Sequence, residues 1–282
     1  MLVAPGPGAL PPSLVPPPPG ALAPSPEPPP PGTLPRSPVP PGALPPPSPV
    51  FVGDTLEAWL QPRSSQHGGL LVKRPFHGRF DEFQAQVDEA VERFGDDEAL
   101  CTTMVHDGVQ EDVLPKLQES VGALLAQAVL PAALGDQIRR DAFALGPVVA
   151  SLCPSASSID VKLEILGENS CARWHQDRYV ARAIVSYSGS IGTEYTSHAN
   201  VDFWELYNCG NNECVIRDVR GICSVDVGDF FFIKGTKFPT GANGLVHKSP
   251  MKRYYADGRV VNRLLLKLDV DLPQEYFETG AL

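Results

Sequence analysis

Proline is the feature that most constrains this chain. Twenty-two of its 31 prolines fall in residues 1–50, and nine are spread over the 232 residues that follow. Proline fixes φ near the polyproline II value and supplies no amide donor. The same fifty residues hold two charged groups, Glu27 and Arg36, and no aromatic ring. Such a segment buries too little apolar area to offset its ordering entropy, so the sequence predicts a disordered, proline-rich, low-complexity arm over residues 1–50. Within it Gly8-Ala9-Leu10, Gly20-Ala21-Leu22, Gly32-Thr33-Leu34 and Gly42-Ala43-Leu44 form a degenerate repeat. An extended arm of this kind suits the aromatic grooves of SH3-type or WW-type partners; a repeat tolerated because it lies outside the fold is the plainer reading.

Glu27 and Arg36 cancel, so the formal charge of −10 belongs to residues 51–282. An acidic surplus makes nucleic acid and anionic membrane poor partners. The sequence has no run of eighteen apolar residues and no basic segment at its start, so neither a membrane span nor a signal peptide is expected. Six cysteines in that context read as reduced thiols in a cytoplasmic setting.

From residue 51 to about 158 the patterning is helical. Phe83, Val87, Ala90, Val91 and Phe94 recur at three- and four-residue steps over Asp81 to Phe94. Leu117, Val121, Leu124, Leu125 and Ala128 continue a second stripe that starts after Asp112, with Pro115 in the first turn. A third runs from Asp136 towards Cys153, with a break expected near Gly146-Pro147. His67, His77 and His106 stand singly and read as surface or hydrogen-bonded structural residues. After Ile159 the period becomes two. Strands are expected over Val161–Leu166, Ala181–Tyr187, Val201–Tyr207, Cys214–Val219, Ile222–Val227, Phe230–Lys234 and Leu264–Asp269. The fold class that follows is α+β: a sandwich, jelly-roll or barrel core over residues 159–282 behind a helical flank over 51–158, the two forming one folded unit.

The chemistry concentrates at Arg173-Trp174-His175-Gln176-Asp177. In extended backbone, residues two apart share a face, so His175 and Asp177 can converge. His247, 72 residues on, is the candidate third member. Two imidazoles and one carboxylate bind a divalent first-row metal on one side and leave neighbouring positions open, as in non-haem Fe(II) oxygenases. Arg263 follows 16 residues later on the last strand, where a guanidinium can fork onto the far carboxylate of 2-oxoglutarate. Lys267 shares its face and can serve instead, as can Lys248 or Arg253 from a loop. Tyr187, Tyr195 and His198 are candidate pocket residues, and His198 in place of Asp177 would make a three-His site that favours zinc. Trp174 and Trp204 read as core or sheet-packing aromatics. Cys209 and Cys214 bracket Gly210-Asn211-Asn212-Glu213 between two strand patterns; cross-strand thiols there can hold zinc or form a redox pair, but two small residues flanking a Gly-Asn turn is the plain reading.

The order His-x-Asp, His, Arg resembles that of the Fe(II)/2-oxoglutarate dioxygenases, and Trp174 to Asp177 is locally similar to their phytanoyl-CoA hydroxylase branch. That resemblance implies a double-stranded β-helix, metal binding at His175, Asp177 and His247, and a co-substrate salt bridge at Arg263. The span from Phe76 to Leu272 is similar to domain-of-unknown-function family 1826. The residues that carry this likeness are Trp174 to Asp177, Tyr187-Ser188-Gly189, Gly192-Thr193-Glu194-Tyr195, Gly228-Asp229, Lys234-Gly235, Val246 to Pro250 and Arg263 to Asp269. The step from His247 to Arg263 is longer than the dioxygenase pattern has it, through an inserted turn at Tyr254 to Gly258. The expectation is an oxygenase using Fe(II) and 2-oxoglutarate on a small-molecule or protein substrate; the rival is a zinc-binding module of the same fold without turnover.

Overall fold

A computed structural model describes residues 48–74, 81–94, 99–105, 110–239 and 243–271. The proline-rich arm through residue 47, His77 and His106 lie outside them. In chain order the strands are β1 (Val50–Gly53), β2 (Gly69–Val72), β3 (Ala99–Val105), β4 (Ser158–Leu166), β5 (Ala181–Ser186), β6 (Glu194–Thr196), β7 (Ile222–Ser224), β8 (Phe230–Lys234), β9 (Val246–Lys248) and β10 (Arg263–Val270). The helices are α1 (Asp81–Phe94), α2 (Gln110–Ala128), α3 (Ala132–Leu152), α4 (Phe203–Asn208) and α5 (Asn212–Val215).

Seven strands form one largely antiparallel sheet in the order β1-β2-β8-β5-β10-β4-β3, and β7-β6-β9 form a second. Alternation along the central strands sorts side chains onto two faces. Ala183 and Val185 of β5, Leu264, Leu266 and Leu268 of β10, and Val161 and Leu163 of β4 enter one core with α1, α2 and α3. The intervening Ile184 and Leu265 join Phe231 and Ile233 of β8 and Tyr195 of β6 in a second core on the opposite face. Helices α1, α2 and α3 therefore cover one side of the sheet, and the small sheet stands over the other.

The helical stripes are buried as their spacing requires: Val113, Leu117, Val121 and Leu124 on α2, and Leu134, Ile138, Ala142, Leu145 and Val149 on α3. Pro147 does not break α3, which continues to Leu152. At Gly146 the helix lies hard against α2, where a Cβ would sit 2.4 Å from Leu117 Cδ2; packing holds the helix through a position that local propensity disfavours. None of the described helices is long and apolar enough to cross a membrane.

The first half is not purely helical. It gives β1, β2 and β3 to the large sheet, with β2 on β8 and β3 on β4. β1 and β2 are four residues each, too short to show a period. The expected strand at Val201–Tyr207 is instead α4. Asp202 caps it, its carboxylate accepting from the Trp204 and Glu205 amides. The expected strand at Cys214–Val219 is replaced by α5, capped by Asn211, and a 3₁₀ turn, so Cys209 and Cys214 flank a helix–helix connection and not a β-hairpin turn. Trp174 is buried, but Trp204 is 68% exposed on α4 and packs no sheet.

Candidate metal centre

His175 and His247 meet because their backbones pair. Each amide donates to the other's carbonyl at 3.0 Å, an isolated antiparallel bridge that adds residue 175 to the small sheet beyond β9. Directly opposed residues in such a pair project to one side, and the two imidazole rings stand 4.5 Å apart between centroids. Asp177, two residues on, shares that side. Gln176 faces away, donating to the Gly244 carbonyl at 2.7 Å and accepting from the Tyr207 hydroxyl. Trp174, Val201, Leu206, Val215, Ile216 and Val246 form the apolar anchor beneath this segment.

The three side chains converge. His175 Nε2 lies 3.6 Å from Asp177 Oδ1, and His247 Nε2 lies 3.6 Å from Asp177 Oδ2. These are too long for hydrogen bonds but close to the spacing a shared cation imposes: atoms about 2.1 Å from one ion sit about 3.0 Å apart at octahedral angles and about 3.4 Å at tetrahedral ones. Both Nδ1 atoms face backbone carbonyls, Arg173 at 2.9 Å and Leu245 at 3.0 Å. An Nδ1–H donated there leaves the Nε2 lone pair of each ring directed at the cluster, which is the tautomer a ligand needs.

The electrostatics agree with that role. Burial pushes His247 down to about 4, against the pull of Asp177, so it is neutral at physiological pH. Burial also opposes the charged form of His175, but the Asp177 carboxylate and the Arg173 carbonyl outweigh it and raise the group. For Asp177 burial favours the acid; His175, His247 and Arg182 overcome it and hold the carboxylate well below its usual range. Arg182 Nη1 stands 3.2 Å from Asp177 Oδ2. That contact lacks hydrogen-bond geometry, and Oδ2 is a buried acceptor without a hydrogen-bond partner. The guanidinium itself is gripped by Asp269 through Nε and Nη2.

The cluster opens into a cavity of about 270 Å³, lined in part by Arg182, Ile184, Lys248, Arg263, Leu265 and Lys267. Lys267 pairs with Glu164, and Lys248 with Glu194. Arg263 is 7% exposed, and its Nε and Nη1 have no partner among the described residues. Burial lowers it to about 10 although Glu164 and Glu194 pull the other way. Its stem packs on Gly189, whose φ of +91° only glycine adopts freely and where a Cβ would lie 2.7 Å from Arg263 Cγ. Arg263 also borders a second cavity of about 360 Å³ beside Arg253.

Three of the sequence-derived residues, His175, Asp177 and His247, are thus assembled, with Arg263 and Lys267 in the same cavity. Tyr187 is not there. It lies on the helical face of the sheet, fully buried, with its hydroxyl donating to Asp141 Oδ2 at 2.9 Å, because it continues the Ala183, Val185 parity of β5. Tyr195 stacks on Phe231 in the apolar core, and His198 Nε2 faces the Gly244 carbonyl at 2.7 Å, apart from the cluster. Sequence reasoning overlooked Arg182 and Asp269. The alternation of β5 and β10 signals both: each has the parity of the cavity face.

A family model, "Protein of unknown function (DUF1826)", matches residues 79–269. The chain belongs to that family. No curated protein matches the sequence. Solved structures that resemble this DUF1826 chain include a dioxygenase for auxin oxidation from rice, at 14% identity and TM-score 0.40, covering 81% of this chain and 87% of that one. The Arabidopsis thaliana dioxygenase for auxin oxidation 1, solved with 2-oxoglutarate, gives 9% identity and TM-score 0.41, covering 81% and 94%. A Pseudomonas putida prolyl-4-hydroxylase gives 11% and 0.32, covering 78% and 97%. At such identities and scores the side-chain geometry alone carries the functional reading.

Proposed function

We propose that this DUF1826 protein is an Fe(II)/2-oxoglutarate-dependent oxygenase, with His175, Asp177 and His247 holding the metal and Arg263 the far carboxylate of the co-substrate. In this reading the two sheets are the opposed layers of a double-stranded β-helix. The observation that carries it is a pairing within one cavity: a three-ligand cluster with both Nε2 lone pairs directed inward, and a buried guanidinium with donors to spare. A fully paired cavity would be a structural polar network; an unpaired buried cation is a binding site for an anion.

Each residue has a task that its surroundings support. The Arg173 and Leu245 carbonyls hold the two rings in the ligating tautomer. Arg182, clamped by Asp269, keeps Asp177 ionised and leaves Oδ2 available. Arg263 presents a planar fork suited to a carboxylate, and Ile184 and Leu265 give the cavity an apolar wall that strengthens that contact. The donor set, two imidazoles and one carboxylate, fits Fe(II) with open positions. Iron and 2-oxoglutarate together would supply the dioxygen chemistry, and the protein the geometry and the dry pocket.

Anaerobic addition of Fe(II) and then 2-oxoglutarate tests this. The wild type is expected to develop the visible charge-transfer absorption of an iron-bound 2-oxo acid. His175→Ala and His247→Ala should lose it, and Arg263→Ala should need far more 2-oxoglutarate to reach it. Tight Zn(II) binding with no such band in the wild type would instead establish the zinc module without turnover.

A further inference from the structure

Among the described residues, one other group of ligating side chains comes together outside that cavity. Glu205 on α4 and Cys209, the residue that caps its C-terminus in helical backbone, are four residues apart and so lie on one side of the helix. The chain then turns at Gly210, whose φ is +66°, and its amide returns to the Glu205 carbonyl at 2.9 Å. Asn211 caps α5 and brings Cys214 back over the same face. One carboxylate oxygen and two sulfurs, all within 4.8 Å of one another, result. Around a tetrahedral Zn(II) with Zn–S of about 2.3 Å, two sulfurs stand about 3.8 Å apart, so small side-chain rotations suffice. Both thiols are exposed and unpaired by any disulfide.

The loop these residues frame also holds the segment that leads into the first cluster. Asn212 accepts from the Trp174 amide at 3.1 Å and donates to the Ala172 carbonyl at 2.7 Å. Arg173 donates to the Gly210 carbonyl at 3.3 Å. The Cys209–Cys214 connection is therefore the brace of the segment that ends in His175.

We propose that Glu205, Cys209 and Cys214 form a second cation site, selective for a soft divalent ion such as Zn(II), that clips the loop bracing the His175 segment. Two thiolates favour zinc over iron or magnesium. Binding takes one metal ion and two thiols to a dithiolate complex and releases two protons. A solvent molecule fills the fourth position, since no fourth side chain joins the group among the described residues. None of these ligands belongs to the first cluster, so the site stands whether or not that cluster turns over.

The test is a Cd(II) titration of the reduced full chain, followed by the ultraviolet thiolate-to-metal band, which reports sulfur ligands alone. One equivalent should bind with the band. Cys209→Ser and Cys214→Ser should lose it, while Cys171→Ser and Cys223→Ser retain it. Glu205→Gln should keep the band with affinity weakened by roughly tenfold or more. Zn(II) should protect Cys209 and Cys214, and not Cys101, from alkylation in the wild type, a readout that survives any variant that fails to fold. The proposal is overturned if the band is absent, if it persists without Cys209 or Cys214, or if Zn(II) leaves their alkylation unchanged.

Discussion

Replacing Arg263 by methionine should stabilise the protein and abolish its response to 2-oxoglutarate. The guanidinium is 7% exposed, and two of its nitrogens have no partner among the described residues. Burial moves its pKa from 12.5 to about 10, which at 1.36 kcal/mol per tenfold is ~3 kcal/mol of disfavoured charge at neutral pH. The sign follows from linkage: a cation whose folded pKa is lowered destabilises the fold at every pH below that value, with relief only above about 10. Methionine keeps the aliphatic stem packed on Gly189 and removes the charge, whereas alanine would open a cavity costing ~2–5 kcal/mol and mask the effect. An increase near 3 kcal/mol corresponds to roughly 6–12 °C in Tm for a domain of this size. Wild type and Arg263→Met should be compared by urea and thermal unfolding with metal present, without and with 2-oxoglutarate. At a hundredfold excess over Kd the wild type should gain ~2.7 kcal/mol and the variant nothing. A variant less stable than wild type, or one that still gains from 2-oxoglutarate, would refute the reasoning.

Metal affinity should fall as pH drops through the raised pKa of His175, because proton and metal compete for Nε2, by about tenfold per pH unit below it. His247, pushed down to about 4, adds its own loss only near that pH; Co(II) titrations between about pH 5 and 8 read the first step, and a flat profile contradicts it. Gly189→Ala places a Cβ 2.7 Å from Arg263 Cγ at a φ of +91°, so it should destabilise by ~1–2 kcal/mol and weaken 2-oxoglutarate binding while calorimetry finds metal affinity unchanged. Asp141→Ala removes the carboxylate that pairs with Arg74 and accepts from Tyr187 on the helical face. It should lower unfolding stability by ~3–5 kcal/mol without altering the stoichiometry of metal binding.

What could be read from sequence was what period and parity encode. The helical stripes of α1, α2 and α3 and the alternation of β4, β5 and β10 were legible, and parity is also what places Arg263 and Lys267 on one face. In the candidate metal cluster, His175 and Asp177 were legible from local spacing, because two residues in extended backbone share a side; His247 was legible only from its place in the His-x-Asp, His, Arg order, and what brings it to the other two is a single long-range bridge that no local pattern encodes. Tyr187 shows the limit. Its parity puts it on the helical face, but the turn after β5 hides where the strand ends, and only the tertiary pairing of its amide with the Leu264 carbonyl fixes it there. At 201–207 alternation and helix signals overlap, and the Asp202 cap decides for helix.

The charges on the cavity face also explain why Arg263 is left over. Glu164 and Glu194 both lie near enough to favour its protonated form, yet neither pairs with it. Glu164 is held by Lys267 and Glu194 by Lys248, and Asp269 is occupied by Arg182 and Lys162. Each carboxylate around the cavity thus already has a cation, and Arg182 directs its remaining nitrogen at Asp177. A sheet that had only to be stable would have placed an apolar residue at 263, as it does at Leu265, since an unpaired buried charge destabilises by several kcal/mol. Retaining a guanidinium there, on a glycine that only its stem can cover, is intelligible if the missing carboxylate arrives with a ligand. Asp177 Oδ2 is likewise a buried acceptor without a hydrogen bond, with Arg182 Nη1 at 3.2 Å outside hydrogen-bond geometry and His247 Nε2 at 3.6 Å, and in the proposed reading it is an oxygen free to ligate the metal. One bound ion and one bound carboxylate would complete both.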